Sequence, residues 1–161
     1  MVVIDNPFHG KALAVKIAEG NPDATFGEGW DHCMARLDDQ GNLMGGFLFD
    51  HYLGRSICIH VAKWHPRWLN RHLLVASFGY VFLQLKVEKV LALMRSTRPE
   101  TLKFARGLGF VPETVVRDAV PGGDLVIYSM YAWQCRWLAL VPPDLLARHV
   151  NVAQRRDCSR S

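Results

Sequence analysis

The stretch Thr101–Glu113, TLKFARGLGFVPE, decides how the chain is read. Leu102, Ala105 and Leu108 recur at a spacing of three, while Lys103 and Arg106 lie between them. That pattern predicts an amphipathic helix with one apolar face. Gly107 and Gly109 offer the left-handed backbone that ends a helix, and Phe110-Val111 opens a strand-like run. The segment therefore reads as a short helix that delivers the chain sharply into a sheet.

Working toward the N-terminus, Pro99 opens this helix and Lys89–Arg95 reads as a buried strand before it. A long helix over about Arg67–Leu85 precedes that strand, with Pro66 in its first turn and a broad apolar face. Three strands come earlier still: His32–Leu37, Leu43–Tyr52 and Ser56–Ala62. In the last of them Ile57, Ile59 and Val61 alternate with Ser56, Cys58 and His60. Turns at DDQGN, with Gly41-Asn42 supplying positive φ, and at LGR connect the three. Residues 9–19 read as a first helix and residues 21–31 as a loop. Toward the C-terminus, Glu113–Val120 and Leu125–Met130 form a hairpin around PGGD, and two short helices follow. A helix joining two strands of one sheet implies a parallel, right-handed crossover, so Ser56–Ala62 and Lys89–Arg95 are expected to lie parallel. The order is helix, three antiparallel strands, helix, strand, helix, hairpin. Residues 1–150 are expected to form one domain, and the polar tail 151–161 to fray.

At 161 residues, half of them hydrophobic and a fifth charged, the chain can bury a core without a metal or disulfide staple. Its formal charge of +4 suits an anionic partner without selecting one. Cys33, Cys58, Cys135 and Cys158 fall in no CxxC or Cys/His ligand spacing, so no metal is expected and a reducing cytoplasm is. The opening MVVIDNPFHGK has no basic segment followed by an apolar core, so no signal peptide is expected. No apolar run reaches the roughly 20 residues of a membrane span.

This element order resembles the GNAT superfamily, the acyl-CoA-dependent N-acyltransferases. STRPETLKFARGLGFVPE is similar to that family's strand, helix and GF turn. VVRDAVPGGDLVIYSM is similar to its terminal hairpin, and YAWQCRWL resembles the branch acting on protein N-termini and related amines. The resemblance implies an α+β fold: a mixed, mostly antiparallel central sheet flanked by helices, with a parallel, splayed strand pair at its centre. It implies acetyl-CoA, or another acyl-CoA, as donor. Transfer to the amine would be direct, in a ternary complex. The family's glycine-bearing pyrophosphate loop has no counterpart in HPRWLNRHL, and Ala105 stands where many members carry a tyrosine.

The cofactor-binding candidates follow. Backbone groups of Val61, Ala62 and Lys63 would hydrogen-bond the pantetheine arm and polarise the thioester. Arg67, Trp68, Asn70, Arg71 and Arg98 would surround the phosphates near a helix N-terminus. Trp68 and His72 also read as packing residues. Among catalytic candidates, His60 is favoured as the base, because an unperturbed imidazole titrates near the pH at which an amine must be deprotonated. Asp50 is an alternative base, and Tyr128 a hydroxyl able to reach the substrate or the departing thiolate. Cys58 is a weaker nucleophile candidate. The acceptor amine stays open between protein, small molecule and nucleobase. Trp30, Trp64, Trp68, Trp133 and Trp137 leave nucleic acid in play as a partner through base stacking. A homodimer is compatible with the sequence. The rival to an enzyme is a GNAT-fold binding module that has lost catalysis.

Overall fold

The computed structural model describes residues 1–4, 6–21 and 32–143. The readings for residues 22–31, most of PPDLLARHV and the tail, Cys158 and Trp30 among them, lie outside the described residues. Strands β1 (Val2–Ile4), β2 (Cys33–Leu37), β3 (Leu43–Asp50), β4 (Ser56–Lys63), β5 (Lys89–Arg95), β6 (Val111–Val120) and β7 (Gly123–Tyr131) form one sheet. Their order is β1-β2-β3-β4-β5-β7-β6. Every neighbouring pair is antiparallel except β4 and β5. Helices α1 (Pro7–Gly20), α2 (Arg71–Gly79) and α3 (Pro99–Leu108) flank it. The fold is thus the α+β arrangement expected.

Alternation along the strands builds two cores. On one face Phe47, Phe49, Ile57, Ile59, Val90, Tyr128 and Met130 pack with Leu73, Phe78, Ala105 and Leu108 from α2 and α3. On the other, Leu13 and Ala14 of α1 pack with Cys33, Ala35, Leu48 and Ala62. The opening stretch behaves as its periodicity predicts: Ala105 and Leu108 are buried and Gly109 ends α3 with φ +108°. Gly109 alone supplies the left-handed stop, since Gly107 is still helical. Likewise Gly41 takes the positive φ of its turn, at +85°.

The long helix starts later than Pro66 suggested. Residues 64–70 form an irregular turn, and Asn70 caps α2 by accepting the Leu73 N–H at 2.8 Å. Arg67 and Arg71 therefore do not share a helical face. The chain stays coiled past Gly79 as a π-helical turn, Tyr80–Gln84. Strand β1, unread in the sequence, pairs with β2. The expected terminal helix over YAWQCRWLAL is instead two short 3₁₀ turns, Ala132–Gln134 and Leu138–Leu140.

The glycines of Met44-Gly45-Gly46 have a packing reason. A Cβ on Gly45 would sit 2.8 Å from the Ala62 carbonyl oxygen and 2.9 Å from Trp68 Cε3. A Cβ on Gly46 would collide with the Met34 carbonyl and lie 2.9 Å from Ala35 Cα. Because those neighbours are backbone, Gly46→Ala should cost roughly 1–3 kcal/mol of stability, read as a lower urea midpoint at unchanged slope.

Candidate active site

Strands β4 and β5 begin as a parallel pair and then part. Their pairing runs from Ser56–Lys89 through Ile57–Val90 to Cys58–Leu91, and among the described residues it goes no further. Each strand nevertheless continues, β4 to Lys63 against β3 and β5 to Arg95 against β7. The result is a fork with its vertex at Cys58–Leu91. The Arg55 carbonyl accepts from the Lys89 N–H at 3.2 Å, which fixes the alternation. Counting along β4, the backbone groups of Val61 and Lys63 turn into the fork, whereas those of Ala62 turn toward β3. By the same count Leu93 turns into the fork from β5.

At the vertex, on the α1 face, lies a chain of three side chains. Asp50 pairs with Cys58 across β3–β4, and Leu48 with His60. That register brings Asp50 and His60 diagonally together on one face. Asp50 is 4% exposed. His60 Nε2 stands 2.7 Å from its Oδ1, and His51 Nδ1 stands 2.9 Å from its Oδ2. A carboxylate only accepts, so each imidazole donates an N–H to it. In the neutral ring this places the His60 proton on Nε2 and the lone pair on Nδ1. The His60 ring is 22% exposed, so the pair is reachable from outside.

Cys58 lies beside this chain. Burial and, second, the Asp50 charge push its thiol up to about 11, so it stays protonated at neutral pH and is a poor nucleophile. Asp50, His51 and Cys58 have ligand atoms within 4.8 Å of one another, a spacing a metal ion could use. Here both Asp50 oxygens are engaged by imidazoles.

Tyr128 does not join this group. It is 1% exposed in the α2/α3 core, on the opposite face of the sheet, with the Arg106 guanidinium 5.8 Å from its ring. The phosphate-binding candidates divide as well. Arg67, Arg71 and Lys63 are exposed around the start of α2, and His72 is exposed rather than packed. Asn70 spends its side-chain oxygen on the cap. Trp68 is 4% exposed, its ring 5.4 Å from Phe47 and 6.2 Å from Phe104. The Arg98 guanidinium donates to the Gly20 carbonyl at 2.6 Å, tying α3 to the end of α1. Of the tryptophans, Trp137 donates to the Leu108 carbonyl, while Trp64 and Trp133 are exposed. His51, which sequence reading passed over, enters the site through a backbone conformation that no residue pattern announces.

No protein-family model matches the sequence, and no curated protein sequence does. Solved structures do match. A point mutant of the spermidine N-acetyltransferase SpeG from Vibrio cholerae superposes with a TM-score of 0.63 at 15% identity, over 86% of this chain and 95% of that one. An acetyltransferase of the GNAT family from Bacillus anthracis gives 0.57 at 13% identity, over 82% and 94%. The chain has the GNAT fold. The Vibrio cholerae spermidine N-acetyltransferase solved in complex with CoA and spermine matches at 0.53 and 19% identity, over 64% of this chain and 66% of that one.

The Cys58 environment is directly measurable. Its alkylation, followed residue by residue by mass spectrometry, should rise with pH toward a midpoint near 11. Asp50→Asn removes a charge that raises this pKa, so the midpoint should move down and the rate at neutral pH should increase.

Proposed function

We propose that the protein transfers an acyl group, acetyl first among them, from coenzyme A to an amine. The observation that carries this reading is the fork, with a His60–Asp50 pair at its vertex and the backbone groups of Val61 and Lys63 turned into it. Sheet edges left without a strand partner need another hydrogen-bonding partner, and an extended amide-bearing arm is one that fits. The Arg71 and His72 N–H groups that open α2, ahead of the capped Leu73 N–H, lie at the positive end of the helix dipole, which favours phosphate. Arg67, Arg71 and Lys63 add charge there without needing a glycine. The fold's likeness to amine acetyltransferases supports the same reading.

The donor would supply a thioester carbonyl, already activated toward nucleophiles. The chain's own residues do the rest. His60 Nδ1 takes a proton from the acceptor ammonium, so that the neutral nitrogen can form the new C–N bond. Asp50 holds the ring in the tautomer that leaves Nδ1 basic and stabilises the imidazolium that results. A backbone N–H of Val61 or Lys63 faces the oxygen on which negative charge grows as the C–N bond forms. The sulfur leaves with the electron pair of the breaking C–S bond and takes up the proton that the acylated nitrogen gives up, leaving a neutral amide and the free thiol. The acceptor's class is not assigned by this site. A non-catalytic binding module is the second reading, favoured by the buried Ala105 where many GNAT enzymes carry a tyrosine.

Acetyl-CoA well above its dissociation constant should raise the melting temperature by several degrees, and no rise at millimolar ligand would remove the proposal. Arg67→Ala combined with Arg71→Ala should weaken acetyl-CoA binding roughly tenfold in calorimetry.

His60→Ala should lower kcat by about 100-fold or more at unchanged acetyl-CoA affinity. Unaltered turnover would assign His60 to structure alone.

A further inference from the structure

His51 is the first residue beyond β3, and its backbone sits at φ +50°. Left-handed backbone is uncomfortable for any residue with a Cβ; histidine tolerates it better than most, and glycine best of all. A turn that needed only this conformation would be served better by glycine, as at Gly54 a few residues on, where φ is +80°. The side chain is therefore where the reason for His51 is to be sought. Its Nδ1 stands 2.9 Å from Asp50 Oδ2, and its ring is 47% exposed, so little packing holds it. Asp50 itself is nearly fully buried, and its other oxygen binds His60. The His51 N–H is thus one of the hydrogen bonds that hold the plane of a buried carboxylate.

We infer that His51 is a positioning residue for acyl transfer: its strained backbone delivers an N–H to the outer oxygen of Asp50, which fixes the carboxylate plane and thereby the His60 ring. The inference rests on the role proposed for His60. A residue acting through another in this way is worth roughly tenfold or more in rate.

Two substitutions separate this role from a merely conformational one. His51→Gly relieves the backbone but removes the donor. Its kcat should fall roughly tenfold while KM for acetyl-CoA holds. His51→Asn keeps both features, because asparagine also tolerates left-handed backbone and its Nδ2, like Nδ1, is bonded to Cγ. It should restore most of the lost kcat. A third readout does not require turnover. In the ligand-free protein the His60 Nε2–H should give a slowly exchanging imidazole resonance, lost in His51→Gly and retained in His51→Asn. The inference is overturned if His51→Gly keeps its kcat, or if that resonance ignores both substitutions. It is also overturned if purified wild-type protein carries a stoichiometric metal ion that His51→Gly loses, since His51 would then be a ligand. Should the wild type acetylate no amine, the proposed function fails, and the resonance alone decides what His51 does.

Discussion

The structure depends on how early β4 and β5 stop pairing. Three residue pairs join them, and then each strand goes on with its outer neighbour only. Unpaired backbone in the middle of a sheet is unfavourable unless something else bonds it, so the fork must be held open by packing on its flanks. On one side the Gly45-Gly46 pair lets β3 lie tight against β2, β4 and the Trp68 ring. On the other, seven consecutive pairs fix β5 to β7 from Lys89 to Arg95. Trp68 packs on the β3 side, its ring between Phe47 on β3 and Phe104 on α3. Of the two roles that sequence reading gave Trp68, phosphate ligand and packing residue, its burial fits packing.

The two sheet faces divide the labour. The face under α2 and α3 carries the large aromatic core, and Tyr128 belongs to it. The face under α1 has a small core of short side chains, Ala14, Ala35 and Ala62 among them. A thin core leaves room beside it for polar groups, and there Asp50, His60 and Cys58 lie side by side. Because side chains alternate, placing Asp50 and His60 together required only that β3 and β4 keep a register without a bulge, and they do.

The legibility of the sequence follows from the range of each signal. The helix ending at Gly109 and the strand Lys89–Arg95 were readable because periodicity and glycine chemistry are local. The start of α2 was misjudged because Pro66 is a familiar opening signal, whereas Asn70 is the residue whose side chain accepts the orphan N–H. The fork could be anticipated only through family resemblance, since nothing local says where two strands part. His60 and Asp50 were each singled out separately, as alternative bases. Their hydrogen bond is a matter of register, and register is non-local. His51 was invisible because its place beside Asp50 goes with a positive φ that no residue pattern announces.

Asp50 shows why the arrangement coheres. A carboxylate buried to this degree loses several kcal/mol of hydration unless charge-assisted hydrogen bonds replace it. Two imidazoles supply them, one from the neighbouring strand and one from the adjoining turn. Burial and, second, the same negative charge raise the Cys58 thiol, which keeps the nearest competing nucleophile protonated. One buried charge therefore hydrogen-bonds the His60 and His51 rings and adds to the burial that keeps a thiol protonated. All three effects weaken together if that charge is lost, which marks Asp50 rather than either histidine as the centre of the site.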